Sequence, residues 1–545
     1  MPSPPARLHV ALVLHAHLPW VRHPEHPRSL EERWLHEGVL DCYAPLVGLL
    51  ARLRRDGLRA PLTLSVSPTL VAMLREPELA ARTRSHGERL LALASWHLAR
   101  AQRSPERAPF APALRAHAAR IAEALALLDA TENDLVHALV SLHTAEAIEL
   151  ATTTATHGLL PALSPMAQRA QCELGARVFQ ARTGLSPTTR WLPECALGPH
   201  VAKALAASGA GASVVDAHGL LLARPAPPNA LSAPLLDPCG LAWFGRHPLG
   251  VEAVWSPRTG YPGHPAYAER HLDLADVVPF DELGDERGPF GARVPTGLRL
   301  HRVTRRGAPL ARTPRDPWNP LVAAAQAEAH AGDLVARLEA LAELPRTTSA
   351  PPVVTLAFDA ELFGHHWLEG IAFLDALLRR LASHTAMRPV SLSEHVAAHP
   401  HLFVGEPATS SWGKGGFFSP WTSERARRVW PTVHRADELV RSGLAKPPSS
   451  ALAEQARLPL VCQWLLLQAS DWPFLLDRGD FVSYAEGRVR DHANAVELLS
   501  RVARGERTDA EAAARVQELS ERDGLLDGVP RAAVEAALGA SRAPA

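Results

Sequence analysis

The chain has 545 residues, 47% of them apolar, with 57 basic and 57 acidic side chains. That is enough apolar mass for at least one large core, and a formal charge of zero argues against binding nucleic acid through a basic tail. Apolar runs stay below the roughly eighteen residues of a membrane span, and five cysteines without CxxC spacing argue against a disulfide framework or a zinc ribbon. A soluble, cytoplasmic protein is expected, with no membrane partner, no nucleic-acid partner and no cofactor.

Residues 8–14 (LHVALVL) form a strand-length apolar run that ends in His15 and His17. The same arrangement recurs along the chain. Residues 61–66 lead into Ser67, 147–151 into Thr156 and His157, 188–192 into Glu194, 212–215 into Asp216 and His218, and 353–358 into Asp359. Helix-period stretches such as 113–130 and 321–344 lie between these runs, giving the alternation of a parallel β/α sheet or barrel. A barrel is preferred, because so many strand ends deliver polar or titratable groups, and barrel active sites are built at carboxyl ends of strands.

Residues 222–240 hold five prolines and read as an excursion over the barrel mouth. Residues 255–264 form a second irregular region, ending in a Gly-Tyr-Pro-Gly turn. The arginine-rich stretch 302–315 lacks interleaved aromatics and reads as a solvated basic loop. Beyond about residue 395, helix-period segments (424–442, 451–470, 484–503) take over. The expected division is therefore a barrel domain over 1–395 and a helical domain over 396–545.

Glu194 and Asp359, each following an apolar strand, bring two carboxylates to one end of the barrel, the equipment of glycosidic bond chemistry. A separation of about 5 Å would mean retention of configuration and roughly 6.5–9.5 Å inversion. The alternative for either acid is a helix cap. His15 and His17, with His157, His218 and Asp359, also suit a metal-dependent barrel hydrolase. Trp20, Trp255, Trp367, Trp412, Trp421 and Trp472 lie beside Gly, Pro or polar residues, and several are expected to offer a ring face to solvent or to a sugar.

Seven segments, LHAHLPW (14–20), ATHG (155–158), WLPECA (191–196), VDAH (215–218), FDAELFGHHW (358–367), SWGKGG (411–416) and ASDWPF (469–474), together resemble glycoside hydrolase family 57, and within it the 1,4-α-glucan branching enzymes. The resemblance runs in order from residue 8 to about residue 500. It implies a distorted TIM-like (β/α)7 barrel with a helical insertion and an all-helical C-terminal domain. The activity it implies is a metal-free retaining one on amylose- or glycogen-like α-glucan; the oligomeric state is not legible in the sequence, a monomer being favoured. Glu194 matches the family nucleophile and Asp359 the general acid/base. Arg246, Gly263, Trp412 and Asp471 match substrate-holding positions, and His15, His17, Trp255 and Trp421 look like further subsite residues.

Departures cluster near the site. Leu197 and Leu159 stand where the family carries tyrosine, Thr259 replaces another, and Asp480 replaces a glutamine. The proline-rich loop is short and has no tyrosine, whereas the family's loop uses one to shield the glycosyl-enzyme from water. An α-glucan hydrolase or weak 4-α-glucanotransferase is therefore the alternative within the family, and a non-catalytic glucan-binding relative the alternative outside catalysis.

Overall fold

The computed structural model describes residues 7–26, 28–229, 231–256, 258–288, 291–304, 316–343 and 350–539. Its strands are β1 (Leu8–Ala16), β2 (Thr63–Val66), β3 (Glu149–Ala151), β4 (Ala212–Asp216), β5 (Leu235–Leu236), β6 (Ala242–Arg246), β7 (Val353–Asp359), β8 (Met387–Pro389) and β9 (Phe403–Val404). β1 is the hub, running parallel to β2, β7 and β8. β2 pairs with β3, β4 with β6, and β6 with β7, all parallel. Two parallel bridges, Thr152 with Arg190 and Thr189 with Ala212, join β3 to β4. The ring therefore closes with the bridge segment as one of seven parallel members, giving the expected (β/α)7 barrel.

The inner cluster combines small or β-branched strand residues (Ala11, Val13, Ala212, Val214, Ala242 and Ala357) with the larger Trp191 and Phe244. The alternate β1 residues Val10, Leu12 and Leu14 join the larger outer core beneath the helices. Helices Ala111–Ala130 and Pro320–Ala342 lie where the periodicity predicts them, as do Trp430–Leu444, Arg457–Leu467 and Val482–Ala503 in the helical region beyond the barrel. No helix among the described residues is long and apolar enough to cross a membrane.

The proline-rich stretch does not cover the mouth. Its β5 pairs antiparallel with Ala242 and Trp243, at the amino end of β6, and parallel with β9. The Ser232 carbonyl accepts from the Val353 N–H at the amino end of β7. Asp237 fixes the turn, accepting from the N–H groups of Cys239 and Leu241 and from the Trp243 indole. A buried carboxylate with three donors anchors the segment at the opposite end from the one expected. Most of the arginine-rich stretch, from residue 305, lies outside the described residues.

Candidate active site

Register fixes the first two site residues. β1 and β7 are aligned so that His15 pairs with Asp359, and both stand at the carboxyl ends of neighbouring strands. Burial pushes the Asp359 carboxyl up to about 6, with Arg246 and then His17 pulling it back. Arg246 ends β6. Its Nε donates to the Ala357 carbonyl at 3.0 Å, and its guanidinium lies 5.0 Å from the centre of the Trp412 ring, a cation–π contact.

Glu194 follows the bridge segment on a strained turn. Its φ is 59° and that of Cys195 is 47°, left-handed values that side-chain-bearing residues adopt only where neighbours enforce them. The enforcement is visible. The Glu194 carbonyl accepts from the Trp412 N–H at 3.0 Å, Oε2 accepts from the Trp412 indole at 2.7 Å, and Oε1 accepts from the Ser470 hydroxyl at 2.8 Å. Burial raises this carboxyl to about 8, while the Trp412 and Ser470 hydrogen bonds oppose the rise and the Asp359 charge adds to it. The charge on Asp359 is therefore felt at Glu194.

Behind Ser470 runs a chain of contacts to β2. Ser470 Oγ lies 2.9 Å from His157 Nδ1, His157 Nε2 lies 3.0 Å from His15 Nε2, and His15 Nδ1 lies 3.2 Å from Ser65 Oγ. Burial lowers both imidazoles well below the usual histidine range, so each carries one N–H. With Glu194 ionised, one polarity satisfies every member: Ser65 donates to His15, His15 to His157, His157 to Ser470, and Ser470 to Glu194. His157 itself sits at φ 57°, another strained strand-end residue.

His17 takes a different partner, its Nε2 lying 3.2 Å from Asp471 Oδ2, and its ring stacks on His157 at 4.1 Å. A third acid, Glu361, accepts from the His17 N–H at 3.0 Å and the Tyr43 hydroxyl at 2.5 Å. Burial, then the Asp359 charge, raises it to about 8. Glu361, Ser470, Ser65 and Tyr43 were not singled out from the sequence. Glu361 and Ser470 sit inside the FDAELFGHHW and ASDWPF segments, which was the available signal.

His218 is turned away from the other histidines. Its Nε2 contacts the Gly416 carbonyl at 2.6 Å and its Nδ1 lies 3.3 Å from Asp216, so the five-residue metal constellation is not assembled. Trp255 ends a π-helical turn, Val251–Trp255, shortly after β6 and is 41% exposed; Gly263 lies in the turn Tyr261–Gly263 that follows. Trp412 is half-buried between Glu194 and Arg246. Trp421, by contrast, is buried behind Gly413, and Trp20, Trp367 and Trp472 are buried too, so only Trp255 and Trp412 of the six offer a ring face. Leu159 and Leu197 are also buried, while Asp480 is exposed beside Arg478.

A parallel barrel whose mouth holds half-buried acids with aromatic and imidazole walls defines a carbohydrate-active enzyme of the glycoside hydrolase and glycosyl transferase kind. Comparison with known proteins gives the family. Residues 11–248 match glycosyl hydrolase family 57, and residues 432–529 match the 1,4-alpha-glucan branching enzyme C-terminal model. A Mycobacterium tuberculosis protein named "Probable 1,4-alpha-glucan branching enzyme" is 31% identical over 537 residues, covering 92% of this chain and 93% of that one. The crystal structure of the Thermotoga maritima α-amylase AmyC superposes with a TM-score of 0.84 at 27% identity, over 95% of this chain and 97% of that one. A branching enzyme structure from Pyrococcus horikoshii gives 0.83 at 24% identity, over 97% of each chain, a likeness of fold. The chain belongs to glycosyl hydrolase family 57, in the part of it that carries the branching-enzyme C-terminal module.

Proposed function

We propose that this protein is a 1,4-α-glucan branching enzyme, cleaving an α-1,4 bond and transferring the released chain to a 6-hydroxyl of a second glucan by retaining double displacement. Glu194 attacks the anomeric carbon while Asp359 gives its proton to the departing glycosidic oxygen, leaving an ester between Glu194 and the sugar. A 6-hydroxyl then enters, Asp359 takes its proton, and the new oxygen attacks the same carbon as Glu194 leaves as a carboxylate. The observation that carries this reading is the pair of half-buried acids, the Asp359 charge being felt at Glu194, with Glu194 held by two donors and Asp359 beside Arg246. Near neutral pH the pair holds one proton, and the reaction uses the microstate with that proton on Asp359. The indole and hydroxyl donors on Glu194 favour that microstate.

Arg246, Trp412, Asp471, His15, His17, Trp255 and Gly263 are assigned to sugar binding, with Trp421 backing the Trp412 loop from behind. The division near residue 395 belongs to the same reading. The barrel supplies both acids, while the helical part supplies Ser470 and Asp471. The enzyme is taken to work as a cytoplasmic monomer on amylose- or glycogen-like chains.

A second reading, hydrolysis or weak 4-α-glucan transfer, draws on one observation: residues 222–240 contain no tyrosine and are bonded at the amino end of the barrel. The Thermotoga α-amylase is a relative that fits it. Incubating the protein with amylose, then cutting α-1,6 bonds and sizing the chains, separates the two. Branching predicts short chains released only by debranching. New reducing ends without α-1,6 linkages would overturn it in favour of hydrolysis.

A further inference from the structure

The barrel has a second histidine cluster, at the end opposite the carboxylates. His9, the second residue of β1, shares the inward-facing register of Ala11, Val13 and His15, so it points into the amino-end mouth. That mouth is plugged by helix Leu392–Ala398, which carries His395, and by its C-cap residue His399, one turn further along the same face. One ring nitrogen from each of His9, His395 and His399 lies within 4.8 Å of the others. His9 Nδ1 and His395 Nδ1 are 2.9 Å apart, and the ring centres are separated by 5.2, 5.6 and 5.1 Å. His9 and His395 are buried; His399 is half-buried.

We propose that His9, His395 and His399 bind one zinc(II) ion, which ties the first strand to the helix that closes the amino end of the barrel. Three imidazoles with no carboxylate select a borderline transition ion over calcium or magnesium, and zinc accepts a three-histidine set with water in the fourth position. Zn–N bonds of about 2.0–2.1 Å in a tetrahedron put ligand nitrogens about 3.3 Å apart. The His9–His395 pair is slightly tighter than that, and the half-buried His399 ring turns to close the widest gap. Of the two Nδ1 atoms now in contact, one carries the hydrogen. Metal binding moves that proton to Nε2 of the same ring, which leaves both Nδ1 lone pairs to the ion.

The position sets the role. His9 precedes His15 by six residues on an extended strand, about 20 Å at roughly 3.3 Å per residue. The ion is therefore structural, remote from the acids, and independent of which glucan reaction the mouth performs.

The test uses the full chain, stripped with EDTA and titrated with zinc chloride against a chromophoric chelator, in wild type, His395→Gln and His399→Gln. The expected result is one zinc per wild-type chain, with affinity weakened at least about 100-fold in each variant, since even outer-shell changes cost 10–100-fold. Zinc then raises the melting temperature of wild type but not of the variants. If the buried His395→Gln chain fails to fold, the half-buried His399→Gln chain decides the matter alone. Absence of stoichiometric binding, or zinc held equally well by His399→Gln, would overturn the proposal.

Discussion

At Glu194, two donors and a strained backbone act on one carboxylate. The Trp412 indole can only donate, and the Ser65–His15–His157–Ser470 chain satisfies all its members when Ser470 donates as well. Replacing Ser470 with alanine removes a hydrogen bond to a charged group, typically about 1.5–3 kcal/mol, so kcat is expected to fall roughly 10–100-fold with little change in KM. Because that bond favours the ionised form, its loss also moves the alkaline limb of the pH profile upward, which a purely structural defect would not do. In wild type, kcat/KM rises as the pair loses its first proton near pH 6 and falls as it loses the second near pH 8, a bell checked by initial rates from pH 5 to 9. Asp359 stands out as a candidate because it directly follows an apolar run, and Glu194 because the strand-like segment 188–192 leads into it. Ser470 and Trp412 were not visible as partners of Glu194, since contacts across more than 200 residues leave no local periodicity.

At the scale of elements, the strand ends position the chemistry and the helices press them into place. Helix Pro165–Thr183 approaches the segment after β3 so closely that a Cβ on Gly175 would sit 2.6 Å from the Ala155 nitrogen and 2.7 Å from the Thr154 carbonyl carbon. Backbone atoms cannot swing aside, so Gly175→Ala is expected to destabilise the fold by about 1–3 kcal/mol. It would also displace His157 two residues further on. Denaturant unfolding and initial rates together check this, because loss of stability with unchanged rates would show that His157 had not moved. Six barrel members matched apolar runs in the sequence. β6 was missed because its five residues follow a proline-rich stretch and blend into it, yet it carries Arg246. The tryptophans misled for a related reason. An indole beside polar residues reads as exposed, but Trp20 and Trp472 are buried with their N–H groups bonded to Asp523 and the Leu466 carbonyl.

Across the whole molecule, residues distant in sequence meet around Asp523. Its carboxylate accepts from Trp20, Gln463 and Arg522, joining the loop after β1 to the last helices. Burial would raise this acid, but Arg488 and Arg522 hold it at about 2, below its ordinary value of 3.8. The stabilisation is therefore complete above about pH 4 and is lost as pH falls through about 2. Asp523→Ala leaves buried arginine unpaired and is expected to cost about 3–5 kcal/mol at pH 7, measured by denaturant titration, with the difference from wild type shrinking below pH 3. The barrel was legible from alternating runs, and the helical remainder from the change in period. Their joint construction of one pocket was legible only through the resemblance of the motif segments, because composition and period carry no record of which distant surfaces meet.

In the proposed reaction Glu194 forms a covalent bond to sugar while Asp359 handles the proton. Trapping with a fluorinated glucosyl fluoride, followed by peptic digestion and mass spectrometry, is the decisive measurement. One added sugar is expected on the peptide containing Glu194, absent in Glu194→Gln. A label on the Asp359 peptide, or turnover of the inhibitor without any labelled peptide, would rule the assignment out.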